Sequence, residues 1–249
     1  MRSTWLERLQ DRFYGKDWSN GYRQARLKHH LDEGLRRATF SIPTPQRLMA
    51  LEEGIRQLTQ LESTVGLRPV FSTSPARWAY FERLQSAPIG DIRLFTAPDL
   101  TVYHQGKWTL IRLQFRSASS PSEARQIEHL LMVHWAMAQP GFPDDATAFR
   151  VKVIRWRAHR WVEHHVTVTP ELLDQAASLV AHDVAEMKWL LRSANADPSL
   201  ESLALAADER TCQICSVRET CPAQDGLQRA KEAQRLKLEL PIQRAETRS

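Results

Sequence analysis

Residues 97–117 read APDLTVYHQGKWTLIRLQFRS, and this stretch decides the fold that we predict. Apolar and polar side chains alternate along two runs with Gln105-Gly106 between them, which is typical of two antiparallel strands joined by a tight turn. A second pair of alternating runs, FRVKVIRW and WVEHHVTV, flanks the segment from Arg157 to Arg160. The sequence therefore predicts two β-hairpins.

Three helices are predicted from a Ser or Thr followed by proline, because a proline at the first helical position sacrifices no hydrogen bond. The starts are Thr44-Pro45, Ser120-Pro121 and Thr169-Pro170, and Glu123 is placed to complete a capping box with Ser120. Apolar residues recur at helical spacing after each start. Helices alternating with short strand groups favour an α/β domain in which helices cover a small mixed sheet.

Composition sets the broad class of the protein. The chain has 249 residues, of which 42% are hydrophobic, as is ordinary for a soluble globular protein. The N-terminus lacks the pattern of a signal peptide, and the longest apolar run is far shorter than the roughly 20 residues of a membrane span. We therefore expect a cytoplasmic protein without a membrane partner. The net charge of +5 permits nucleic-acid binding without requiring it.

All three cysteines of the chain lie in residues 211–223, TCQICSVRETCPA. They are Cys212, Cys215 and Cys221, with Pro222 directly after the last. In a reducing compartment an odd number of closely spaced cysteines favours metal ligation over disulfide formation, and Cys-x2-Cys is a common chelating spacing. A metal or cluster held by three thiols needs a fourth partner.

The Pro98-Asp99 pair, the hairpin, the helix after it and the late cysteines together resemble the PD-(D/E)XK nuclease superfamily. The resemblance is to its RecB-type exonucleases and the related CRISPR adaptation nucleases with a C-terminal cysteine cluster. It implies a restriction-endonuclease-like core, which is a small mixed sheet flanked by helices. The implied organisation is an N-terminal helical region at 1–88, a nuclease-like core at 89–193, a cysteine segment at 194–225 and a charged tail at 226–249.

The resemblance also implies a set of catalytic positions. In the family, the Asp of the Pro-Asp pair and an acid on the next strand bind Mg²⁺ or Mn²⁺, and a lysine two residues later helps to activate the attacking water. Asp99 fits the first carboxylate, but the second acid falls at Arg112 and the lysine at Gln114. A shift of two residues gives Gln114 with Arg116 on the same face of the strand, and a protonated arginine is a poor general base.

Two further positions match the family only in part. Gln126 fits the glutamine that contacts the strand site, while Leu130 stands where the family has tyrosine. Upstream, His30 with Glu33 fits a helix-start motif in which members of the family often have a histidine. The adjacent His29 is a second candidate for that position. The resemblance thus implies a vestigial site, whose positions are Asp99, Arg112, Gln114, Gln126 and His30. We expect Arg112 to form an ion pair with Asp99 in place of a metal.

The three cysteines match the last three ligands of the family's [4Fe–4S] cluster, whose fourth cysteine lies far upstream. This chain has no upstream cysteine. One interpretation is that His29 or His30 completes the set, which gives a zinc site or an unusually ligated iron–sulfur cluster. The other interpretation is a remnant of free thiols without metal.

The densest basic stretch lies in the second hairpin, where tryptophans are interleaved with the charges. It is predicted either to line a phosphate-binding groove or to form a solvated face. Its members are Arg150, Lys152, Arg155, Arg157 and Arg160.

The function expected from these features is that of a catalytically inactive nuclease-like protein that binds nucleic acid or protein partners. One alternative is an active nuclease that uses Asp99, Gln114 and His30 with Mg²⁺ or Mn²⁺. The other alternative is a scaffold or assembly factor that contacts only proteins.

Overall fold

The computed structural model describes residues 1–39, 41–72, 76–115, 123–197, 209–216 and 218–220. Residues 1–178 form one compact unit, and residues 179–249 form a second. No helix in these described ranges is long and apolar enough to cross a membrane.

The described helices follow the predicted starts where those can be compared. They are α1 (Arg2–Phe13), α2 (Asn20–Arg37), α3 (Thr44–Glu62), α4 (Arg68–Phe71), α5 (Glu123–Met137), α6 (Pro170–Ala196) and α7 (Glu209–Gln213). Helix α3 begins at Thr44 as predicted. Helix α6 begins at Pro170, and the Thr169 hydroxyl accepts a hydrogen bond from the Leu172 amide at 3.3 Å. The predicted cap at Ser120 lies outside the described residues.

Seven strands form two sheets within the described ranges. They are β1 (Trp78–Tyr80), β2 (Ala87–Ile89), β3 (Ile92–Leu94), β4 (Leu100–His104), β5 (Lys107–Gln114), β6 (Phe149–Arg157) and β7 (Arg160–Val166). The main sheet has the order β1-β4-β5-β6-β7, and β2 pairs with β3 alone. Strand β1 belongs to the main sheet, so the region 1–88 that was predicted to be helical contributes an edge strand to it.

Both predicted hairpins are confirmed. Strands β4 and β5 are joined by Gln105 and Gly106, with φ of 51° and 74°. Strands β6 and β7 are joined by Ala158 and His159, with φ of 49° and 60°. Two consecutive left-handed residues match the twist of the flanking strands in a two-residue hairpin loop.

Strands β5 and β6 are parallel, whereas the other neighbours in the main sheet are antiparallel. A parallel pair needs a crossover connection, and α5 lies in that connection. The expected fold class is therefore confirmed at the level of a small mixed sheet with flanking helices.

The two faces of the main sheet have different coverings. Apolar side chains of α1, α2 and α3 join those of the strands in one core cluster, which includes Trp5, Leu9, Leu27, Leu58, Leu61, Leu100, Ile111, Leu113 and Ile154. Because side chains alternate along a strand, Arg112 points away from this cluster. On that opposite face it meets Glu128 of α5.

Candidate functional site: an arginine pocket over Asp99

Asp99 lies just before β4 and is only 3% exposed. Its backbone amide donates to the carbonyl oxygen of Ile111 at 2.9 Å, which fixes it at the edge of the first hairpin. Arg83 Nε donates to Asp99 Oδ1 at 3.0 Å, and Arg83 Nη2 donates to Oδ2 at 3.0 Å. The amide of Leu113 also donates to Oδ2, at 2.8 Å. The carboxylate is thus held by a two-pronged arginine and one backbone group.

Arg112 is 2% exposed and is one of the largest fully buried side chains. Its Nη1 donates to the Ala97 carbonyl at 2.8 Å and lies 3.7 Å from Asp99 Oδ2. Its Nη2 lies 3.0 Å from Glu128 Oε1. Burial lowers the pKa of Arg112, and Asp99 opposes that shift. The expected ion pair between Asp99 and Arg112 is confirmed.

This arrangement changes what the Asp99 position can bind. A divalent ion needs lone pairs of hard oxygens, but both Asp99 oxygens already accept hydrogen bonds. The guanidinium of Arg112 adds a positive charge close to where a cation would sit. The residues therefore suit a structural ion-pair network better than a metal centre.

Gln114, at the end of β5, faces His129 of α5. The two side chains approach at 3.4 Å between Gln114 Nε2 and His129 Nε2. Burial lowers the pKa of His129 to about 4, and the nearby Arg112 acts in the same direction. The imidazole is therefore neutral at pH 7 and can accept a hydrogen bond from the amide.

A pocket of about 410 Å³ opens over this network. Its walls come from the start of α1, the segment after β1, the end of β5 and the start of α5. The residues that line it are Met1, Arg2, Arg83, Arg112, Leu113, Gln114, Phe115, Arg125 and Glu128. Arg2 reaches within 3.7 Å of Asp99 Oδ1, and its side chain is 42% exposed. Burial lowers the pKa of Arg2, and the positive charge of Arg83 lowers it further.

The resemblance implied that Gln126 of α5 contacts this site, but other residues of α5 do so. Gln126 is exposed, whereas Glu128 and His129 reach the strand site. The expectation that Gln126 contacts the strand site is therefore wrong, because that position points to solvent. Arg125, Glu128 and His129 share one face at helical spacing, so the sequence did carry this signal.

Arg2 and Arg83 could not have been found from the sequence. Arg2 lies on a helix far upstream, and Arg83 lies between β1 and β2, where no pattern marks it. Only the pairing of β1 with β4 brings the segment of Arg83 beside Asp99. Arg116, the second member of the shifted motif, lies outside the described residues.

The basic stretch of β6 and β7 does not form one continuous groove. Lys152 is buried, and its Nζ donates to Glu163 Oε2 at 2.6 Å. It therefore forms an internal ion pair and does not line a groove. Arg150 shares its face, whereas Arg155 and Arg157 lie on the opposite face.

At the hairpin tip, Arg157 pairs in register with Arg160, and both are exposed. Arg155, further from the tip, is half-buried. Of the predicted stretch, these two tip arginines offer the clearest exposed pair of positive charges.

His30 belongs to a separate cluster on α2. Its Nε2 lies 2.9 Å from Glu7 Oε2, and its Nδ1 lies 3.8 Å from Glu33 Oε2. His29, His30 and Glu33 offer ligand atoms within 4.8 Å of one another, so a metal could be held there. His30 lines a larger cavity of about 1050 Å³, whereas Asp99 lies beneath the smaller pocket. The described geometry thus does not gather His30, Gln114 and Asp99 around one ion.

The cysteine segment is described in part. The amide of Cys215 donates to the carbonyl of Cys212 at 3.3 Å, which places both residues on one turn at the end of α7. Both are free, with Cys212 half-buried and Cys215 exposed. Cys221 lies outside the described residues. The idea that His29 or His30 supplies a fourth ligand stays a prediction.

Comparisons with known proteins give no family. No family model matches the chain, and no curated protein matches it. One solved structure that resembles it is a crystal structure of SSO0001, with 12% sequence identity, coverage of 90% of this chain and 97% of that chain, and a TM-score of 0.36. A likeness at this level carries no argument about fold or function, so the assignment depends on the residues themselves.

Proposed function

We propose that this chain is a PD-(D/E)XK-like domain that has lost metal-dependent catalysis and acts as a nucleic-acid-binding subunit. One observation carries the proposal. The carboxylate of Asp99, the acid of the Pro-Asp pair, accepts hydrogen bonds from Arg83 and the Leu113 amide, and Arg112 Nη1 lies 3.7 Å from Asp99 Oδ2. The small mixed sheet and the hairpin of β4 and β5 further support the resemblance.

The physical reason is a substitution of charge. Two carboxylates repel each other and are stabilised by a bound cation. An arginine at the second position supplies the positive charge from within the chain. The negative charge of Asp99 is then neutralised without a metal. The same change removes the hard oxygen ligand that a catalytic ion needs.

The nucleic-acid part of the proposal is supported by charge. The chain carries a net charge of +5. Four arginines line the arginine pocket, where Arg2 is exposed, and the exposed Arg157 and Arg160 lie at the tip of the second hairpin. Polyanions bind such surfaces through counterion release, so the affinity should fall steeply with salt.

The central experiment compares cleavage with binding. The purified protein is incubated with labelled single-stranded and double-stranded DNA, with Mn²⁺ or with EDTA. We expect salt-sensitive retention of DNA without cleavage. Titration calorimetry should show no Mn²⁺ binding that is lost in the Asp99→Asn variant. Cleavage that requires Mn²⁺ and is lost in folded Asp99→Asn and Gln114→Ala variants would establish the active-nuclease alternative instead.

The protein-only alternative is separated by charge reversal at the hairpin tip. An Arg157→Glu/Arg160→Glu variant should bind DNA more weakly than an Arg93→Glu/Arg192→Glu control of equal net charge, whose altered residues are also exposed. Failure of the wild type to retain any DNA at low salt would favour the protein-only scaffold.

We also propose that Cys212, Cys215 and Cys221 bind zinc or an iron–sulfur cluster. Support comes from the Cys-x2-Cys spacing and from the backbone turn that joins Cys212 and Cys215, neither of which forms a disulfide. Metal analysis and visible absorption of anaerobically purified protein test this. Metal that is lost in a Cys212→Ser/Cys215→Ser variant supports the proposal, whereas wild type without metal or absorption leaves the remnant interpretation.

A further inference from the structure

The arginine pocket holds more positive charge than its structural ion pairs require. Among the described residues, the guanidinium groups of Arg2, Arg83 and Arg112 share two carboxylates, Asp99 and Glu128. Arg125 also lines the pocket. Three guanidinium charges thus share two carboxylate charges, which leaves an excess of one positive charge among these ion pairs. Glu128 is itself 43% exposed, which weakens its share of the neutralisation.

Hydrogen-bond donors also remain available at this pocket. Each guanidinium carries five N–H donors. Arg112 Nε is buried without a hydrogen-bond partner among the described residues. Arg83 uses Nε and Nη2 on Asp99 and Leu113, which leaves Nη1 without a bond to any described residue. The ion pair of Arg2 within the described part of the chain is a 3.7 Å contact with Asp99 Oδ1, which is longer than a hydrogen bond.

The shape of the site fits a small anion that is part of a longer ligand. Its volume of about 410 Å³ exceeds what one phosphate group fills, and the pocket is open to solvent at Arg2 and Arg83. Guanidinium groups match the oxygens of a phosphate with two parallel hydrogen bonds. Burial and Arg83 both lower the pKa of Arg2, as expected where positive charges crowd together.

We propose that this pocket binds phosphate groups of a nucleic-acid strand directly through Arg2, Arg83 and Arg125, above the buried Arg112, without a metal ion. The inference rests on the proposed nucleic-acid-binding function and adds the place and the chemistry of contact. The guanidinium groups take the role that divalent ions have where carboxylates line a phosphate site.

The test uses the full-length protein and a short fluorescein-labelled oligothymidylate in EDTA. Fluorescence anisotropy compares wild type, an Arg2→Gln/Arg125→Gln variant and an Arg93→Gln/Arg192→Gln control with the same loss of charge. We expect the pocket variant to bind at least about tenfold more weakly, as for the loss of charge-assisted hydrogen bonds, and the control to bind nearly as well as wild type. The salt slope of log K should fall by about 0.7 for each lost contact with a single strand.

A second measurement uses inorganic phosphate as a probe of the same pocket. Phosphate, compared with chloride at equal ionic strength, should raise the melting temperature of wild type and the control but not of the pocket variant. Circular dichroism verifies that the variants fold, and Arg2→Gln alone serves if the double variant does not. Lysine at position 2, as Arg2→Lys, should restore only part of the affinity because it lacks the planar fork.

The outcomes separate the pocket from the function. Equal DNA binding by all three proteins would overturn the pocket proposal and leave the proposed function standing. Phosphate-dependent stabilisation without any oligonucleotide binding would overturn nucleic acid as the ligand, both for the pocket and for the proposed function. Absence of both effects in wild type would overturn the phosphate site altogether.

Discussion

Arg112 is a buried cation on a strand whose neighbours are apolar. It is tolerated because two backbone carbonyls and two carboxylates surround it. A buried charge is costly unless it is paired and hydrogen-bonded, so each partner of Arg112 contributes to the stability of the hairpin. Asp99 contributes most, since it also binds Arg83 and the Leu113 amide.

Replacing Asp99 tests this network. Asp99→Asn keeps the shape but leaves the guanidinium groups of Arg83 and Arg112 without their shared anion. We expect a loss of about 3–5 kcal/mol in the free energy of unfolding. Chemical denaturation measures it.

Two control variants sharpen that test. Arg112→Met should cost less than Asp99→Asn, because Asp99 keeps Arg83 and the Leu113 amide. Glu52→Gln, at an exposed position of α3, should change stability little. An Asp99→Asn variant as stable as Glu52→Gln would contradict the importance of the ion pair.

His129 predicts a dependence of stability on pH. Its folded-state pKa of about 4 lies below the ordinary value of 6.5, so the unfolded chain binds a proton at a higher pH than the folded protein does. Its contribution to stability is therefore fully present above pH 6.5 and is lost as the pH falls toward 4, by at most about 1.4 kcal/mol per pH unit. Urea unfolding at pH 7, 6 and 5 measures this loss.

The comparison that isolates His129 uses two variants. His129→Gln should lose less stability than wild type between pH 7 and pH 5, because the titrating group is gone. His104→Gln, in the exposed turn region of the first hairpin, should follow the wild-type dependence. Identical slopes for His129→Gln and wild type would show that other groups set the acid sensitivity.

At the scale of elements, α2 and α3 pack closely because of one glycine. A Cβ built on Gly54 of α3 would lie 2.6 Å from Leu27 Cδ2 on α2 and 3.1 Å from Met1 Sδ. Gly34, on α2, has nothing within 4 Å of the same construction. The two glycines thus separate the effect of packing from that of helix propensity.

Alanine substitution at these two positions should act in opposite directions. Gly34→Ala should stabilise the protein by up to about 1 kcal/mol through helix propensity. Gly54→Ala gains the same propensity but overpacks the contact with Leu27, which costs about 1–3 kcal/mol. Thermal unfolding of both variants measures the difference. Equal stabilisation by both would mean that α2 can shift away without cost.

The elements themselves were largely predictable, since alternation and proline starts are local signals. Both hairpins and the starts of α3 and α6 follow them. The second hairpin turns through Ala158 and His159 without a glycine, so only the flanking alternation indicated it. The face of α5 was misjudged at Gln126, because the resemblance gave its register by analogy rather than by contact.

At the scale of the whole molecule, the core of the described residues lies in the first unit. Every buried hydrophobic side chain of the described residues lies between Trp5 and Ala176. Later residues of α6, including Met187, Trp189 and Leu191, are exposed. We therefore expect residues 1–178 to supply most of the free energy of unfolding of the chain.

Truncation tests this expectation. A fragment of residues 1–197 should unfold cooperatively, with a melting temperature close to that of the full chain. A fragment that ends at residue 168 lacks α6 and the burial of Leu173, so it should lose at least about 2 kcal/mol. Calorimetry compares the three proteins. A large loss of stability in fragment 1–197 would instead indicate that the cysteine segment stabilises the first unit, as the resemblance implies.

The sequence by itself determined the hairpins, the helix periodicity and the mixed α/β class. These follow from neighbouring residues, whose spacing reports the local backbone. Only the tertiary structure decided which distant side chains surround Asp99. Arg2 comes from the first helix and Arg83 from the segment after the edge strand, and both reach Asp99 because strand pairing and helix packing bring them there. Charges that meet through packing leave no periodic signal along the chain.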